Sequence, residues 1–202
     1  LVDNNIEIIS TGGTAKYLKD NNIDITPVSN ITGLEAVMDG RVKTLNPKIF
    51  GGILADRSNN SHIRDLNSMS APEIDLVVVN LYPFVKEAVK NNLPMNKAIE
   101  YIDIGGPSML RAAAKNYHSV CVLSDASDYS LFMSDFNTDN NEVSLESRCD
   151  FALKVFQLTS SYDLEISQYF NKNQDNTALP EKRILHLNKV QDLRYGENPH
   201  QL

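Results

Sequence analysis

Three stretches concentrate residues able to hold an anion or move a proton. In "EIISTGGTAKYLKD" (residues 7–20) a short apolar run breaks into Thr11-Gly12-Gly13-Thr14 and resumes as a helical pattern. Glycines let a backbone approach a ligand closely, and a helix start offers unpaired N–H groups at its positive dipole end. With the Thr11 and Thr14 hydroxyls added, this arrangement suits a phosphate or another small anion; a tight strand-to-helix turn capped by Thr14 is the structural alternative. In "MDGRVKTLNPKIFGGILADR" (38–57), Arg41 and Lys43 lie two apart, so an extended backbone would aim both at one side. Two cations there suit a phosphorylated or electron-rich ligand, or form a solvated basic loop. The segment shows little periodicity, contains glycine turns, and reads as a long irregular loop. In "YIDIGGPSMLRAAAKN" (101–116), Asp103 precedes Gly105-Gly106-Pro107, with Pro107 suited to a first helical turn. Lys115 lies about three turns into that helix and reaches the Asp103 end only if the helix packs beside the site. Sharing one pocket, the two would form a proton-transfer pair; otherwise Lys115 is a surface residue of an alanine-rich helix. Asn80 and Tyr82 end another apolar run and offer a donor and acceptors, or simply pack beneath a loop.

The elements that must position these residues follow from periodicity. Strand-like runs are "IEIIS" (6–10), "IDITPV" (23–28), "IDLVVVNLY" (74–82) and "SVCVLS" (119–124). The near-continuous "IDLVVVN" suits a strand covered on both faces of a parallel sheet. Ala15, Tyr17 and Leu18 suit a helix packed on the first strand. Helical patterns near 14–21, 61–69, 84–91, 95–102, 107–116 and 127–135 alternate with the strands, which argues for an open α/β fold with ligands at the carboxyl ends of strands. "STGGT", "NLYPF" and the loop after Val28 fall at such ends. From Asn141 the pattern changes: Phe151, Val155, Leu158, Tyr162, Ile166 and Tyr169 mark one apolar helix face, read as packing against the α/β unit or a partner chain. Residues 171–182 are polar and linker-like, and "RILHLNKVQDLRYGENPHQL" begins a new unit.

Composition narrows the classes. The 202 residues carry a formal charge of −7, which argues against a general nucleic-acid binder but allows a local basic pocket. No run approaches the roughly 20 apolar residues that span a bilayer. "LVDNNIE" lacks the regions of a signal peptide and reads as a last helical turn entering a strand. Cys121 and Cys149 have neither metal nor disulfide spacing and read as reduced thiols in a cytoplasmic protein. No His/Cys/Asp constellation has metal-ligand spacing, and "STGGT" lacks the ending of a Walker loop. His62, His118 and His186 read as structural or surface residues.

Taken together, "STGGT", "DGRVKTLNPK", "GGILADR", "VVVNLYPF", "IDIGGPSMLRAAAKN" and "LRYGENPHQ" resemble, in order and spacing, the bifunctional purine-biosynthesis family that joins IMP cyclohydrolase to AICAR transformylase. The resemblance implies a methylglyoxal-synthase-like α/β domain: an open, mostly parallel sheet with helices on both faces, then a helical segment and the truncated start of a second domain. It places a cyclohydrolase domain lacking its first strand at 1–140, a helical extension and linker at 141–180, and the opening of the transformylase domain at 181–202. The implied reaction closes formyl-AICAR to IMP with loss of water, without a metal or redox cofactor. A transformylase part would formylate AICAR using 10-formyltetrahydrofolate. The resemblance assigns Thr11, Gly12, Gly13 and Thr14 to the nucleotide 5′-phosphate, and Arg41, Val42, Lys43 and Thr44 to the nucleotide site, with Lys43 near the reacting groups. Tyr82 and Asp103 would flank the base near Ile104 and Gly105, Val79 and Asn80 would contact the nucleotide, and Lys115 would transfer protons. Arg194 and Tyr195 match the start of the transformylase substrate site. A cytoplasmic homodimer without nucleic-acid or membrane partners is expected. Asn46 and Phe50 stand where the family usually has histidines, and are read as shaping the loop. A regulatory nucleotide-binding domain of the carbamoyl phosphate synthetase type would share "STGGT" but has no need of Asp103, Lys115 or "LRYGENPHQ"; a methylglyoxal synthase is disfavoured by "RVKTL" and by the chain's continuation.

Overall fold

The structure, a computed structural model, describes residues 1–138, 141–172, 184–185, 187 and 189–191. After a 3-10 turn at Val2–Asn4, strand β1 (Ile9–Ser10) leads into helix α1 (Gly12–Asp20), and β2 (Thr26–Pro27) leads into α2 (Val28–Thr32). Helices α3 (Pro47–Leu54) and α4 (Asn60–Met69) precede β3 (Leu76–Val78). A π-helical turn at Val85–Val89, α5 (Met95–Ala98) and a 3-10 turn at Ile99–Tyr101 lead to α6 (Gly105–Lys115) and β4 (Cys121–Leu123). Helices α7 (Tyr129–Thr138) and α8 (Leu145–Lys172) are the last elements among the described residues.

The strands are parallel and alternate with helices, as the sequence pattern predicts, but they are short and fall into two pairs. β1 pairs with β2, Ile9 opposite Thr26, and β3 pairs with β4, Val77 opposite Val122. The Asp75 carbonyl accepts from the Cys121 N–H at 2.9 Å, and the Val79 N–H donates to the Leu123 carbonyl at 3.1 Å. Backbone groups alternate sides along a strand, so Leu76 and Val78 turn theirs to the opposite edge. A cleft of about 2790 Å³ is lined by β1, β3 and the loops beyond them. Val78 is 44% exposed, against the expectation that its run is covered on both faces.

The core fills the space between the β3–β4 pair and the helices on it. Leu110 and Ala113 of α6, Val120 and Val122 beside and within β4, and Phe151 and Val155 of α8 are all buried. Alanines at 112–114 leave α6 narrow enough to lie close between α3, the strands and α8. The expected long helix is α8, and Phe151, Val155, Tyr162 and Tyr169 are buried on it together with Ala152 and Thr159, with Leu158 and Ile166 partly buried beside them. Its second half packs Tyr162 and Tyr169 around Phe84 in edge-on ring contacts at 6.5 and 5.5 Å.

Three further expectations differ from the structure. Residues 47–54 are helical rather than irregular, because Asn46 accepts a capping bond from the Lys48 N–H at 2.9 Å and Pro47 fills the first turn. Gly51-Gly52 therefore lies inside α3, where a Cβ on Gly52 would stand 2.3 Å from the Pro72 carbonyl oxygen; the glycine permits this contact. The segment after Val28 is the short helix α2, not a loop. Tyr17 is 68% exposed, so only Ala15 and Leu18 of α1 turn inward.

Candidate functional site

The site begins at the end of β1. Thr11 is the N-cap of α1, with extended backbone (φ −147°), and its side chain makes no capping hydrogen bond. The first amides of α1 have no partners within the helix, and Thr11 and Thr14 both line the cleft at that end. Gly12 has φ +60°, a conformation that favours glycine. The Lys43 ammonium lies beside it: a Cβ on Gly12 would come within 3.4 Å of Lys43 Nζ, and one on Gly40 (φ +87°) within 3.2 Å of Lys43 Cε. Two glycines thus form the slot that admits the Lys43 side chain. Gly13 has no atom within 4 Å of a Cβ position and stands in the open.

Thr44 carries the site onward, its Oγ1 lying 3.1 Å from a Cβ position on Gly105 at the start of α6. Asp103 precedes that helix, and its Oδ1 accepts from the Gly106 N–H at 2.9 Å. The backbone N–H of Asp103 donates to the Tyr162 hydroxyl of α8 at 2.8 Å. Ile104, 60% exposed, and Tyr82, 63% exposed, stand at the mouth. Thr11, Lys43, Asp103 and Tyr82 line one continuous cleft, joined by Thr14, Arg41 and Thr44 and by Val79, Asn80, Ile104 and Gly105. Val42 is not on the wall; it pairs its backbone with Val37 and so fixes the turn that carries Arg41 and Lys43.

Arg41 and Lys43 do not act as a bare cationic pair. Arg41 Nη2 meets Glu100 Oε1 at 2.5 Å, with both side chains largely exposed, and that hydrogen bond holds the guanidinium above its ordinary pKa. Lys115 lines the cleft from the last turn of α6. A helix rises about 1.5 Å per residue, so Lys115 stands about 15 Å along the axis from Gly105. Among the described residues no ion pair joins Asp103 to Lys115. Next to it, Asn116 Nδ2 donates to the Ile53 and Ala55 carbonyls at 2.8 and 2.9 Å, fastening this end of α6 to the end of α3.

Glu100 and Asn116 carry no signal in the sequence beyond their residue type, and the periodicity that marks Tyr162 shows only that it is buried; packing brings all three to the site. Burial holds the Tyr162 phenol above its ordinary pKa, so the hydroxyl keeps its proton. Burial likewise pushes the Cys121 thiol up to about 12, while Cys149 is exposed, and both are free thiols. His62 accepts from the Asp56 N–H at 3.1 Å. Arg194, Tyr195 and His186 lie outside the described residues. Among the described residues no group of three His, Cys, Asp or Glu could hold a metal ion, and no helix is long and apolar enough to cross a membrane.

The model of the MGS-like domain matches residues 1–108, and that of the AICARFT/IMPCHase bienzyme matches residues 113–202. The chain is 48% identical over 196 residues to the bifunctional purine biosynthesis protein PurH of Acetivibrio thermocellus, covering 97% of this chain and 38% of that protein. It is 49% identical over 201 residues to PurH of Leptospira biflexa and 50% identical over 201 residues to PurH of Clostridium perfringens, covering 39% of each. The chain therefore spans about two fifths of the length of these curated relatives. Among solved structures, ForH superposes with a TM-score of 0.68 at 31% identity, covering 81% of this chain and 85% of that one.

Proposed function

The chain belongs to the MGS-like domain family and to the bifunctional purine biosynthesis proteins, whose N-terminal part it represents, and from that membership we propose that it closes formyl-AICAR to IMP. The observation that carries this reading is the path of residues 43–44. Lys43 lies beside Gly12 in the turn that opens α1, and Thr44 lies beside Gly105 close to Asp103, which supports a phosphate end and a proton-transfer end within one site. A phosphorylated substrate held at one end presents its base at the other.

In the proposed reaction the carboxamide nitrogen attacks the formyl carbon. A carbon–nitrogen bond forms and negative charge gathers on the formyl oxygen; the carbon–oxygen bond then breaks and the oxygen leaves as water, its two protons balanced by one lost from the carboxamide nitrogen and one from the formamido nitrogen. Thr11 to Thr14 hold the 5′-phosphate, which fixes the base and removes the entropy of orientation. Arg41 and Thr44 help seat the nucleotide around the turn fixed by Val42. Lys43 offers a cation to the developing oxyanion, and Tyr82 and Asp103 flank the base with Val79, Asn80, Ile104 and Gly105. Lys115 is assigned proton transfer by its motif position, which supports it together with its place on the cleft wall. Residues 1–140 form the cyclohydrolase unit and 141–180 its helical extension and linker. Residues 181–202, with Arg194 and Tyr195, open a transformylase part that uses 10-formyltetrahydrofolate on AICAR in a cytoplasmic homodimer. A carbamoyl-phosphate-synthetase-type regulatory domain would account for the match over 1–108 but not for that over 113–202.

Steady-state IMP formation from formyl-AICAR tests the assignment. Lys115→Ala should lower kcat by about 10²–10⁴-fold, the usual worth of a positioned general acid, with KM changed far less. A variant within about threefold of wild-type kcat removes Lys115 from proton transfer; absence of IMP formation by the wild type removes the function.

A further inference from the structure

We infer that Tyr162, in the middle of α8, is a positioning residue that acts on the cyclohydrolase site through Asp103. The inference rests on the cyclohydrolase reading for its kinetic consequence, but not for its geometry.

Asp103 is held at two points. Its carboxylate Oδ1 accepts the Gly106 N–H at 2.9 Å, which ties the side chain to the first turn of α6. Its backbone N–H donates to the Tyr162 hydroxyl at 2.8 Å, and the same hydroxyl donates to the Tyr101 carbonyl at 3.4 Å. One phenol thus brackets the turn from Tyr101 to Asp103, across 59 residues of sequence. The ring is 6% exposed and meets Phe84 edge-on at 6.5 Å, and Phe84 follows two residues after Tyr82. Both loops that carry Asp103 and Tyr82 to the cleft therefore rest on the same side chain. Gly106 leaves no slack on the other side, because a Cβ there would stand 2.4 Å from Asp103 Oδ2.

Removing the hydroxyl leaves a half-buried N–H and a carbonyl without their partner, and the turn must shift to satisfy them. Displacements of about 1 Å in a reacting constellation cost on the order of 10²-fold in rate. Tyr169 supplies the matched control. It sits on the same buried face of α8, meets the same Phe84 edge-on at 5.5 Å, and hydrogen-bonds the Leu93 carbonyl, away from the cleft. Tyr162→Phe and Tyr169→Phe remove the same atom from similar surroundings, but only the first touches Asp103.

The test compares both variants in the intact protein, by IMP formation and by amide hydrogen exchange. Tyr162→Phe should lower kcat by about 10- to 100-fold with little change in KM. Tyr169→Phe should stay within about twofold of the wild-type kcat. In an Asp103→Ala background Tyr162→Phe should cost nothing further, since a residue that acts through another loses its effect when that other is gone. Exchange at the Asp103 amide should quicken in Tyr162→Phe and not in Tyr169→Phe. Equal losses in the two variants, or additive losses with Asp103→Ala, overturn the inference. If the wild type forms no IMP, the function falls and the exchange result alone decides: unchanged protection at Asp103 in Tyr162→Phe overturns the positioning role too.

Discussion

Two adjacent glycines in "STGGT" have different jobs, and substitution separates them. Gly12 adopts a left-handed backbone beside Lys43, so any larger residue strains the turn as well as crowding the cation. Gly13 has ordinary helical geometry and open space around it, so a side chain there harms the fold little: valine in place of glycine in a first helical turn is a change of less than about 1 kcal/mol in propensity. Gly13→Val should therefore keep the wild-type melting temperature while placing a branched side chain at the α1 amides to which the proposed phosphate site is assigned. A fall of at least about tenfold in IMP affinity, or about 1.4 kcal/mol, is expected by calorimetry. Unchanged affinity at unchanged stability would remove the phosphate from this turn. The glycine-opened helix start was legible from residue type alone, whereas the slot that Gly12 and Gly40 form for Lys43 needed the chain to fold back on itself.

Helix α3 shows how an element can escape periodicity and still be encoded. The buried residues Ile49 and Ile53 are four apart, but Gly51-Gly52 between them reads as a turn. The stop-start chemistry at the helix origin outweighs the glycines: Asn46 caps the Lys48 N–H and Pro47 presets the first turn. Asn46 also stands where the resembled family usually has histidine, and here its structural work is plain. Asn46→Ala should cost about 1 kcal/mol of stability, and Asn46→Asp should restore most of it, because either oxygen accepts the same N–H. Urea titration followed by circular dichroism reads both changes as shifts in midpoint. An alanine variant as stable as wild type would mean that α3 is held by the burial of Ile49 and Ile53 and by its tertiary contacts, without the cap. The far end of α3 depends on a tertiary partner, Asn116, whose amide takes the Ile53 and Ala55 carbonyls that the helix itself leaves unpaired.

Across the whole molecule the two parallel pairs leave inner edges facing a cleft. Leu76 and Val78 point backbone groups away from β4, and Val78 adds an apolar side chain that is 44% exposed. Among the described residues nothing pairs with that edge. Unpaired apolar edges template association with other chains, and a charged residue on them blocks it. This 202-residue chain should therefore show concentration-dependent mass in sedimentation experiments, and Val78→Lys should reduce it while keeping the helical signal. Equal self-association by both proteins would place the contact elsewhere, with the exposed Leu153 and Phe156 of α8 the next surface to vary.

Local chemistry alone determined much of this protein. The alternation of apolar runs with helical patterns gave parallel strands between helices. Spacing along 151–169 gave the buried face of α8, and glycine, proline and threonine marked the starts of α1 and α6. These features depend on neighbours three or four residues away, which a sequence displays directly. Tertiary structure decided what depends on distant parts of the chain. It set Lys43 against Gly12, gave Arg41 to Glu100, put about 15 Å of helix between Gly105 and Lys115, and laid Tyr162 under Asp103. Apolar periodicity states only that Tyr162 is buried. Which loop its hydroxyl holds is fixed by the packing of α8 against a turn 59 residues earlier, and no local pattern carries that information.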